Sequence, residues 1–518
     1  MGRTERRAGE PPPRIAADTH ARPGRAEPDT VGVKAHLFRL SGQTVVYGLA
    51  GASLSLVGLI TLPVFTRVFP SPAQYGALEI AVVAGGALGV IVDLGLGLAA
   101  QRSFYDSREP GRRKAVLSTA IAASFVSACV VAALVVIFSR PLAELLLGHR
   151  SYGTLVAVTG LVLPAGVLAQ LTREVMRLTL RPWAYLLSCL FATGAGGGVG
   201  IALVTTGSAK LQEVQIGALA GAALSALYGL FVIRRDLGLV FSKRDLTVML
   251  RYGLPLVPAG FALWGLMLID RFILQWLDGL GDVGVYGVAN RAASVELLVV
   301  WAFATAWAPF MLALHTDDPE EERRVRARVL VYVAVGFGLV ALVLGLFARE
   351  AIDIVAPGYE AGAHSVGLLA LGLALQGAGT VAASGITIAR RTSALALSTL
   401  IALAVNVILC FALIPSAGQV GAAIAALVAY ALLGLLQYRR AQQLDPAPFE
   451  PARVLLAIAL CAAPLPLGVW LDPGPVTVLI KLAAIVLAIA ALFATGVLGE
   501  MERDWVRGLA RRPRRGSD

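Results

Sequence analysis

The sequence predicts an all-α integral membrane protein. It has about fourteen transmembrane helices, in two parallel six-helix lobes with two further helices at the C-terminal end. Three observations carry this prediction. The 518 residues are 57% hydrophobic and 15% charged, against about 25% charged in an ordinary soluble domain. Apolar runs of about 20 residues recur along the chain, each long enough to cross about 30 Å of hydrocarbon. Two distant stretches also read alike: Phe138-Ser139-Arg140 with Glu144 recurs as Phe347-Ala348-Arg349 with Asp353, and the same offset carries Lys34 with Leu37 onto Lys243 with Leu246. Tyr75-Gly76 matches Tyr286-Gly287 at an offset two residues longer. A membrane chain holding two copies of one multi-helix unit is the signature of a transporter.

The elements follow in order. Residues 1–35 are Arg- and Pro-rich with little apolar content, and read as a disordered cytoplasmic tail. They lack the form of a secretory signal, because the apolar run that follows is too long and no small-residue cleavage site closes it. Spans are expected near 42–66, 76–101, 115–138, 152–172, 183–206, 214–233, 253–277, 284–314, 329–348, 363–389, 394–414, 420–438, 453–471 and 478–498. Lipid offers no partner to backbone N–H and C=O groups, so spans must be helices or a closed barrel. Alternation of period two is absent, which leaves helices. Residues 239–250 mix Leu239, Leu246, Met249 and Leu250 with Lys243 and Arg244 and read as an interfacial helix; residues 33–40 are its equivalent before the first span. The expected organisation is an N-lobe over 36–238, a C-lobe over 239–446, an appended helix pair over 447–500 and a basic cytoplasmic tail over 501–518.

Charge sets the expected orientation. With the N-terminus inside, 36 of the 44 Lys and Arg residues fall in the tails and inner loops, and the outer loops hold only Arg140, Arg150, Lys210 and Arg349. Short basic segments resist translocation, so this bias places both termini in the cytoplasm. The two copies then start from the same side and are related by an axis along the membrane normal. The net charge of +11 is thereby explained by topology, and nucleic acid is not expected as a partner.

Little points to bond-making chemistry. The four cysteines (Cys129, Cys189, Cys410, Cys461) all lie in apolar stretches and read as free buried thiols, and the five histidines do not cluster. No phosphate-binding loop is present. The run Gly194–Gly200 fails the dinucleotide pattern at Val199, lies inside a span and reads as close helix packing. No cofactor or metal is expected, and the chain does not read as an enzyme.

The informative residues are charges within spans, which are costly there and usually face a wet interior. Arg67 closes the first span. Glu79 and Asp93 lie in the second, Asp270 and Arg271 in the seventh, and Asn290, Arg291 and Glu296 in the eighth. A guanidinium stays charged and can donate two hydrogen bonds to one anion, so Arg271 and Arg291 on neighbouring helices are candidates to hold a pyrophosphate, with Arg67 and Asn290 beside them. Asp270, Glu296 and Asp93 are candidates to carry a coupling ion. The structural alternatives are neutralising pairs, Asp270 with Arg291 or Arg271 with Glu296, and headgroup anchoring for Arg67, Glu79 and Lys481. Pro63, Pro164, Pro255, Pro258 and Pro309 interrupt spans and would bend them.

The stretch from Leu62 to Gly76, with Pro63, Thr66-Arg67 and Pro72-Ala73-Gln74-Tyr75-Gly76, resembles the first-span signature of the bacterial polysaccharide (O-antigen type) flippases. Asp270-Arg271-Phe272 followed by Gly284-Val285-Tyr286-Gly287 is similar to their second-lobe signature. These flippases belong to the superfamily of multidrug, oligosaccharidyl-lipid and polysaccharide exporters. The resemblance implies a V-shaped pair of lobes alternating between inward and outward openings. It implies a substrate of undecaprenyl-pyrophosphate-linked oligosaccharide, moved from the inner to the outer leaflet of the bacterial cytoplasmic membrane for surface polysaccharide assembly. Membrane lipids, a polysaccharide polymerase and a ligase are the implied partners. Arg67, Asp270 and Arg271 occupy the matching positions. The alternatives are a lipid II or teichoic-precursor flippase, a drug/cation antiporter and a membrane glycosyltransferase, the last needing a larger outer loop than any present.

Overall fold

The computed structural model describes residues 46–498 apart from 49, 52, 54, 55, 107, 108 and 239 and the side chain of Thr392. The expected tails and the helix at 33–40 lie outside the described residues. The helices are α1 (Leu56–Val68), α2 (Pro72–Asp93), α3 (Leu96–Asp106), α4 (Pro110–Ile137), α5 (Ser139–Leu147), α6 (Gly153–Leu178), α7 (Pro182–Leu190), α8 (Gly196–Thr206), α9 (Leu211–Ile233), α10 (Lys243–Gly253) and α11 (Val257–Leu277). They continue as α12 (Leu280–Ala293), α13 (Val295–Asp317), α14 (Pro319–Leu346), α15 (Ala348–Val355), α16 (Ala363–Ala382), α17 (Ser384–Ile388), α18 (Thr392–Leu444), α19 (Pro451–Ala462), α20 (Leu465–Trp470) and α21 (Pro475–Ala494). No strand occurs among the described residues.

Local sequence explains where helices start and stop. Pro72, Pro110, Pro182, Pro319, Pro451 and Pro475 each stand at the first helical position, where the missing N–H costs nothing and the fixed φ is already helical. At α14 the Asp318 carboxylate also accepts from the N–H groups of Glu320 and Glu321, both at 3.0 Å. α2 ends in two successive left-handed residues, Leu94 (φ 51°) and Gly95 (φ 68°), which make an elbow into α3.

Twelve segments among the described residues are long and apolar enough to span a membrane. One of them, Ser393–Leu444, has 52 residues, roughly 78 Å of helix and far beyond one bilayer. It turns at Gly418 (φ 53°, ψ −135°) and doubles back, so that a Cβ on Gly421 would strike the backbone of Leu413 and Ile414. This segment therefore counts twice, giving thirteen, and the shorter apolar helix α1 stands where the first of the expected fourteen spans falls. The expected span 284–314 is not one helix: it breaks at Ser294 into α12 and α13.

The repeat is written in backbone detail. α4 and α14 both open on proline, and both end at a phenylalanine of near-identical conformation, Phe138 (φ −97°, ψ 20°) and Phe347 (φ −98°, ψ 13°), each leading into a short helix. Leu180 and Arg390 are both left-handed at φ 54°, and the N–H groups just beyond them bond back to Met176 and Ile386 in the same helix-terminating pattern. In the first copy α6 packs on α4, α9 and α2; in the second α16 packs on α14, α18 and α12.

Small residues set the closest approaches. Gly196 and Gly200 of α8 lie against Gly217 and Gly221 of α9, so the glycine run serves helix packing, next to a π-turn over Phe191–Ala195. α10 is capped by Ser242 Oγ, which accepts from Asp245 N at 3.2 Å, and buries Met249 against α3 and α4, so its apolar side is covered by protein. α19, α20 and α21 pack on α14. Lys481, fully buried, reaches Glu350 at 2.6 Å, and Arg349 reaches Asp472 at 2.9 Å. Lys481 is thus an internal ion-pair partner, not a headgroup anchor. Cys189, Cys410 and Cys461 are buried as expected, whereas Cys129 is exposed.

Candidate functional site

A cavity of about 520 Å³ opens between α2, α6, α9 and the start of α11. Its wall is mostly apolar or glycine, and its polar groups are Asp93 at the end of α2, Thr159 and Gln170 on α6, and Gln215 on α9. Thr159 is satisfied by its own helix, donating to Leu155 O at 2.9 Å. The Asp93 carboxylate accepts the N–H of Gly97 at the start of α3. Among the described residues lining the cavity, no arginine or lysine occurs.

Two tight contacts close the structure on either side of this space. At one end Gly76 of α2 meets Gly284 of α12 backbone to backbone: a Cβ on Gly76 would overlap Leu280 O, and one on Gly284 would overlap Pro72 O. At the other end the α2–α3 elbow sits on the α10–α11 junction, with Gly95 against Gly253. Only residues without side chains allow helices this close. The Tyr-Gly motifs singled out in the sequence therefore meet each other in one seam.

Four of the charges within the spans, Glu79, Asp270, Arg271 and Arg291, gather around that first seam. Arg271 Nη1 donates to Asp270 Oδ1 at 3.0 Å, and the Arg271 backbone N–H donates to the same oxygen at 2.9 Å. Tyr286 of α12 donates its hydroxyl proton to Asp270 Oδ2. Arg271 is 2% exposed, and its guanidinium lies 5.4 Å from the Tyr286 ring centre. Arg291 lies across the seam from Glu79 of α2, Nε to Oε1 at 3.6 Å, with its guanidinium 5.5 Å from the Tyr75 ring centre. Asn290 is half-buried next to it. Neither pairing expected from sequence forms: Asp270 takes its own neighbour, and Arg291 takes Glu79 from the other copy. Adjacent residues on a helix normally point apart. Here the hydroxyl of Tyr286 holds one carboxylate oxygen while the other turns back onto Arg271.

Arg67 is exposed and donates to Pro63 O and Ile354 O, each at 3.1 Å. Thr66 Oγ1 donates to Val355 O at 3.3 Å, and the Tyr359 hydroxyl donates to Phe69 O at 2.9 Å. The Thr-Arg motif thus ties the end of α1 to the last residues of α15. Glu296 stands alone. It is fully buried in the first turn of α13, and neither carboxyl oxygen finds a hydrogen-bond partner among the described residues. Asp93 is the single candidate from the sequence that lines the cavity; Arg67, Asp270, Arg271, Asn290, Arg291 and Glu296 do not.

Sequence reasoning missed two features. Gln170 and Gln215 are uncharged and so do not stand out among the charges within spans. The second is an ion cluster. Arg326, fully buried on α14, lies 3.2 Å from Glu322 Oε1 and 2.5 Å from Asp445 Oδ2, and Arg323 reaches Asp445 Oδ1 at 2.8 Å. In sequence these residues sit in a polar run that reads as a loop.

A family model described as polysaccharide biosynthesis protein matches residues 41–315. The succinoglycan biosynthesis transport protein ExoT of Rhizobium meliloti (strain 1021) is 24% identical over 319 residues, which are 60% of this chain and 61% of that protein. The chain thus spans about three fifths of the length of that relative. Among solved structures, a lipid II flippase MurJ in an inward closed conformation superposes with a TM-score of 0.69, covering 87% of this chain and 99% of that one at 14% identity. An inward-facing multidrug resistance MATE family transporter of the MOP superfamily gives 0.60, covering 76% and 97% at 14% identity. At such identities the likeness is one of fold, and the fold is that of multi-span transporters. With more than half of its length matched by the family model, the chain belongs to the polysaccharide biosynthesis protein family.

Proposed function

We propose that the protein is a flippase of the bacterial cytoplasmic membrane, moving an undecaprenyl-pyrophosphate-linked oligosaccharide from the inner to the outer leaflet by alternating access. The observation that carries the reading is a cavity of about 520 Å³ lined by α2, α3, α6 and α9 of the first copy and by the start of α11 of the second, with backbone-close glycine contacts between the copies at Gly76–Gly284 and Gly95–Gly253. Two lobes whose closest approaches are separate glycine contacts can part at one seam while staying shut at the other. Membership of the polysaccharide biosynthesis family supports a sugar cargo, and the biosynthetic transport role in the name of the R. meliloti relative points the same way. The bias of basic residues supports cytoplasmic termini, with the Gly95–Gly253 contact as the inner closure and the Gly76–Gly284 seam as the outer one. The expected organisation into an N-lobe (36–238), a C-lobe (239–446) and an appended pair (447–500) is part of this proposal.

The roles proposed for the charged residues follow from their partners. Arg291, a quarter exposed, is available to a pyrophosphate once Glu79 releases it, with Asn290 beside it. Arg271 and Arg67 serve the outer seam in this conformation and join the anion site when the seam opens. Glu296, having no counter-charge, is the leading candidate to take up a coupling proton, ahead of Asp270, which Arg271 and Tyr286 occupy.

The test is translocation in vesicles carrying the purified full-length protein. An undecaprenyl-pyrophosphate-linked oligosaccharide supplied in one leaflet should become accessible in the other, and lipid II should move more slowly. Arg291→Ala should slow transfer at least about tenfold, and Glu296→Gln should remove any dependence on a pH gradient. Transfer no faster than in protein-free vesicles would overturn the reading, and faster movement of lipid II would replace its substrate.

A further inference from the structure

We propose that the cavity seats the sugar end of the substrate and sorts it by charge, taking neutral or amino-bearing sugars and rejecting acidic ones. The proposal rests on the flippase reading and adds the chemistry of its cargo. Four observations carry it. The volume of about 520 Å³ falls within the range of about 300–1,000 Å³ found for pockets that enclose a compact ligand, which suits a short oligosaccharide and not a lipid tail of many isoprene units. The room comes from missing side chains. A Cβ at Gly89 of α2 or Gly166 of α6 would meet nothing within 4 Å, so both glycines face open space inside the cavity.

The polar groups suit hydroxyls. The carboxamides of Gln170 and Gln215 each offer donors and an acceptor, as a sugar hydroxyl does. At the edge, the indole N–H of Trp264 is buried without a partner among the described residues, and it lies 3.1 Å from where a Cβ on Gly86 would stand. A buried donor left open in this way calls for an acceptor from outside the chain.

The charge is one-sided. Asp93 is the single charged group among the described lining residues, and its carboxylate is oriented by the N–H of Gly97. The guanidinium groups further along α6 are turned elsewhere: Arg173, one turn from Gln170, donates to Ser225 Oγ at 3.1 Å, and Arg177 pairs with Glu174. A uronic acid drawn into this space would lose its water, meet no cation and stand beside another carboxylate. A hydroxyl or an ammonium group would find an acceptor in Asp93.

The test uses full-length protein in vesicles and two probes, undecaprenyl pyrophosphate bearing a triglucoside and the same carrier with glucuronic acid as its last sugar. The wild type should move the neutral probe at least about tenfold faster. Asp93→Asn should shrink that ratio, and Gln170→Lys, which adds a cation, should shrink it further by raising the rate for the acidic probe. Gly166→Leu should slow the trisaccharide probe more than a monosaccharide one, because it fills the cavity. Equal wild-type rates for the two trisaccharides would overturn the charge selection and leave the flippase reading standing. Equal slowing of long and short glycans by Gly166→Leu would overturn the cavity as the sugar's seat. Transfer of neither probe would overturn both readings together.

Discussion

Arg326 gives the clearest single-residue argument about stability. A fully buried guanidinium is tolerable only with close anions around it, and here Glu322 and Asp445 supply them from α14 and from just past the end of α18. A Cβ at Gly385 would stand 2.6 Å from its Nη1, so α17 closes over the same group. Removing one partner of such a cluster strands the remaining charge, and Asp445→Ala should destabilise the fold by about 3–5 kcal/mol. Burial works against the Asp445 charge, but hydrogen bonds from Arg326 and Arg323 outweigh it and hold its carboxyl below the ordinary carboxylate range. A group depressed in the folded state stabilises at pH values above its unfolded value, about 3.9, and that stability is lost as the pH falls through the folded value. Thermal unfolding of the detergent-solubilised protein should therefore show a fall in Tm below about pH 4. Asp445→Asn should lower Tm at pH 7 and flatten that acid limb. An acid limb unchanged in Asp445→Asn would remove Asp445 as its source.

At the scale of elements, the α2–α12 seam is the contact that the proposed alternation would open. Gly76 and Gly284 allow backbone contact, and the Glu79–Arg291 pair and the Tyr75 and Tyr286 rings flank it. A side chain at Gly284 has nowhere to go unless the helices separate. Overpacking of this kind costs about 1–3 kcal/mol, enough to shift a closed-to-open ratio by about tenfold. Gly284→Leu should therefore populate the form open at this seam. With the four native cysteines replaced by serine, a cysteine at Tyr75, fully buried in the closed form, should react with a membrane-impermeant maleimide markedly faster in the Gly284→Leu background. Unchanged reactivity in a well-folded double variant would mean that this seam is not a gate. The sequence made part of this legible and hid the rest. The two Tyr-Gly motifs stand out because a charged or aromatic residue next to glycine is conspicuous in an apolar run. Their mutual contact is invisible, because it depends on how two helices distant in the chain are rotated. The same holds for ion pairs: Asp270, Arg271, Arg291 and Glu79 were all identifiable as costly charges, but which would meet which was decided by helix rotation. The cavity left still less trace, since Gly89 and Gly166 shape it by what they lack.

For the whole molecule, hydropathy carried most of the architecture, because a bilayer imposes a single length and a single hydrogen-bonding rule on every span. It failed only where packing overrides length, at the break at Ser294 and the buried charges of Arg326 and Lys481. Orientation rests on a different physical term, the reluctance of short basic segments to cross during insertion. Arg112, Arg177, Arg244, Arg324 and Arg440 should then share one side, while His149, Ser208 and Ser416 face the other. The backbone repeats locally: α4 and α14 begin at prolines, end at matching phenylalanines, and in each case precede a short amphipathic helix, α5 or α15. In the proposed parallel arrangement the copies share one sense, so labelling any one loop should fix its counterpart. In a background without native cysteines, His149→Cys, Ser208→Cys and Ser416→Cys should react with an impermeant maleimide on intact cells. Arg324→Cys, Ser393→Cys and Gln443→Cys should react only after permeabilisation. All six residues are exposed, so lack of reaction reports sidedness and not burial. Reaction of His149→Cys and Gln443→Cys from the same side would break the parallel arrangement, and with it the assignment of the Gly76–Gly284 seam to the outer face.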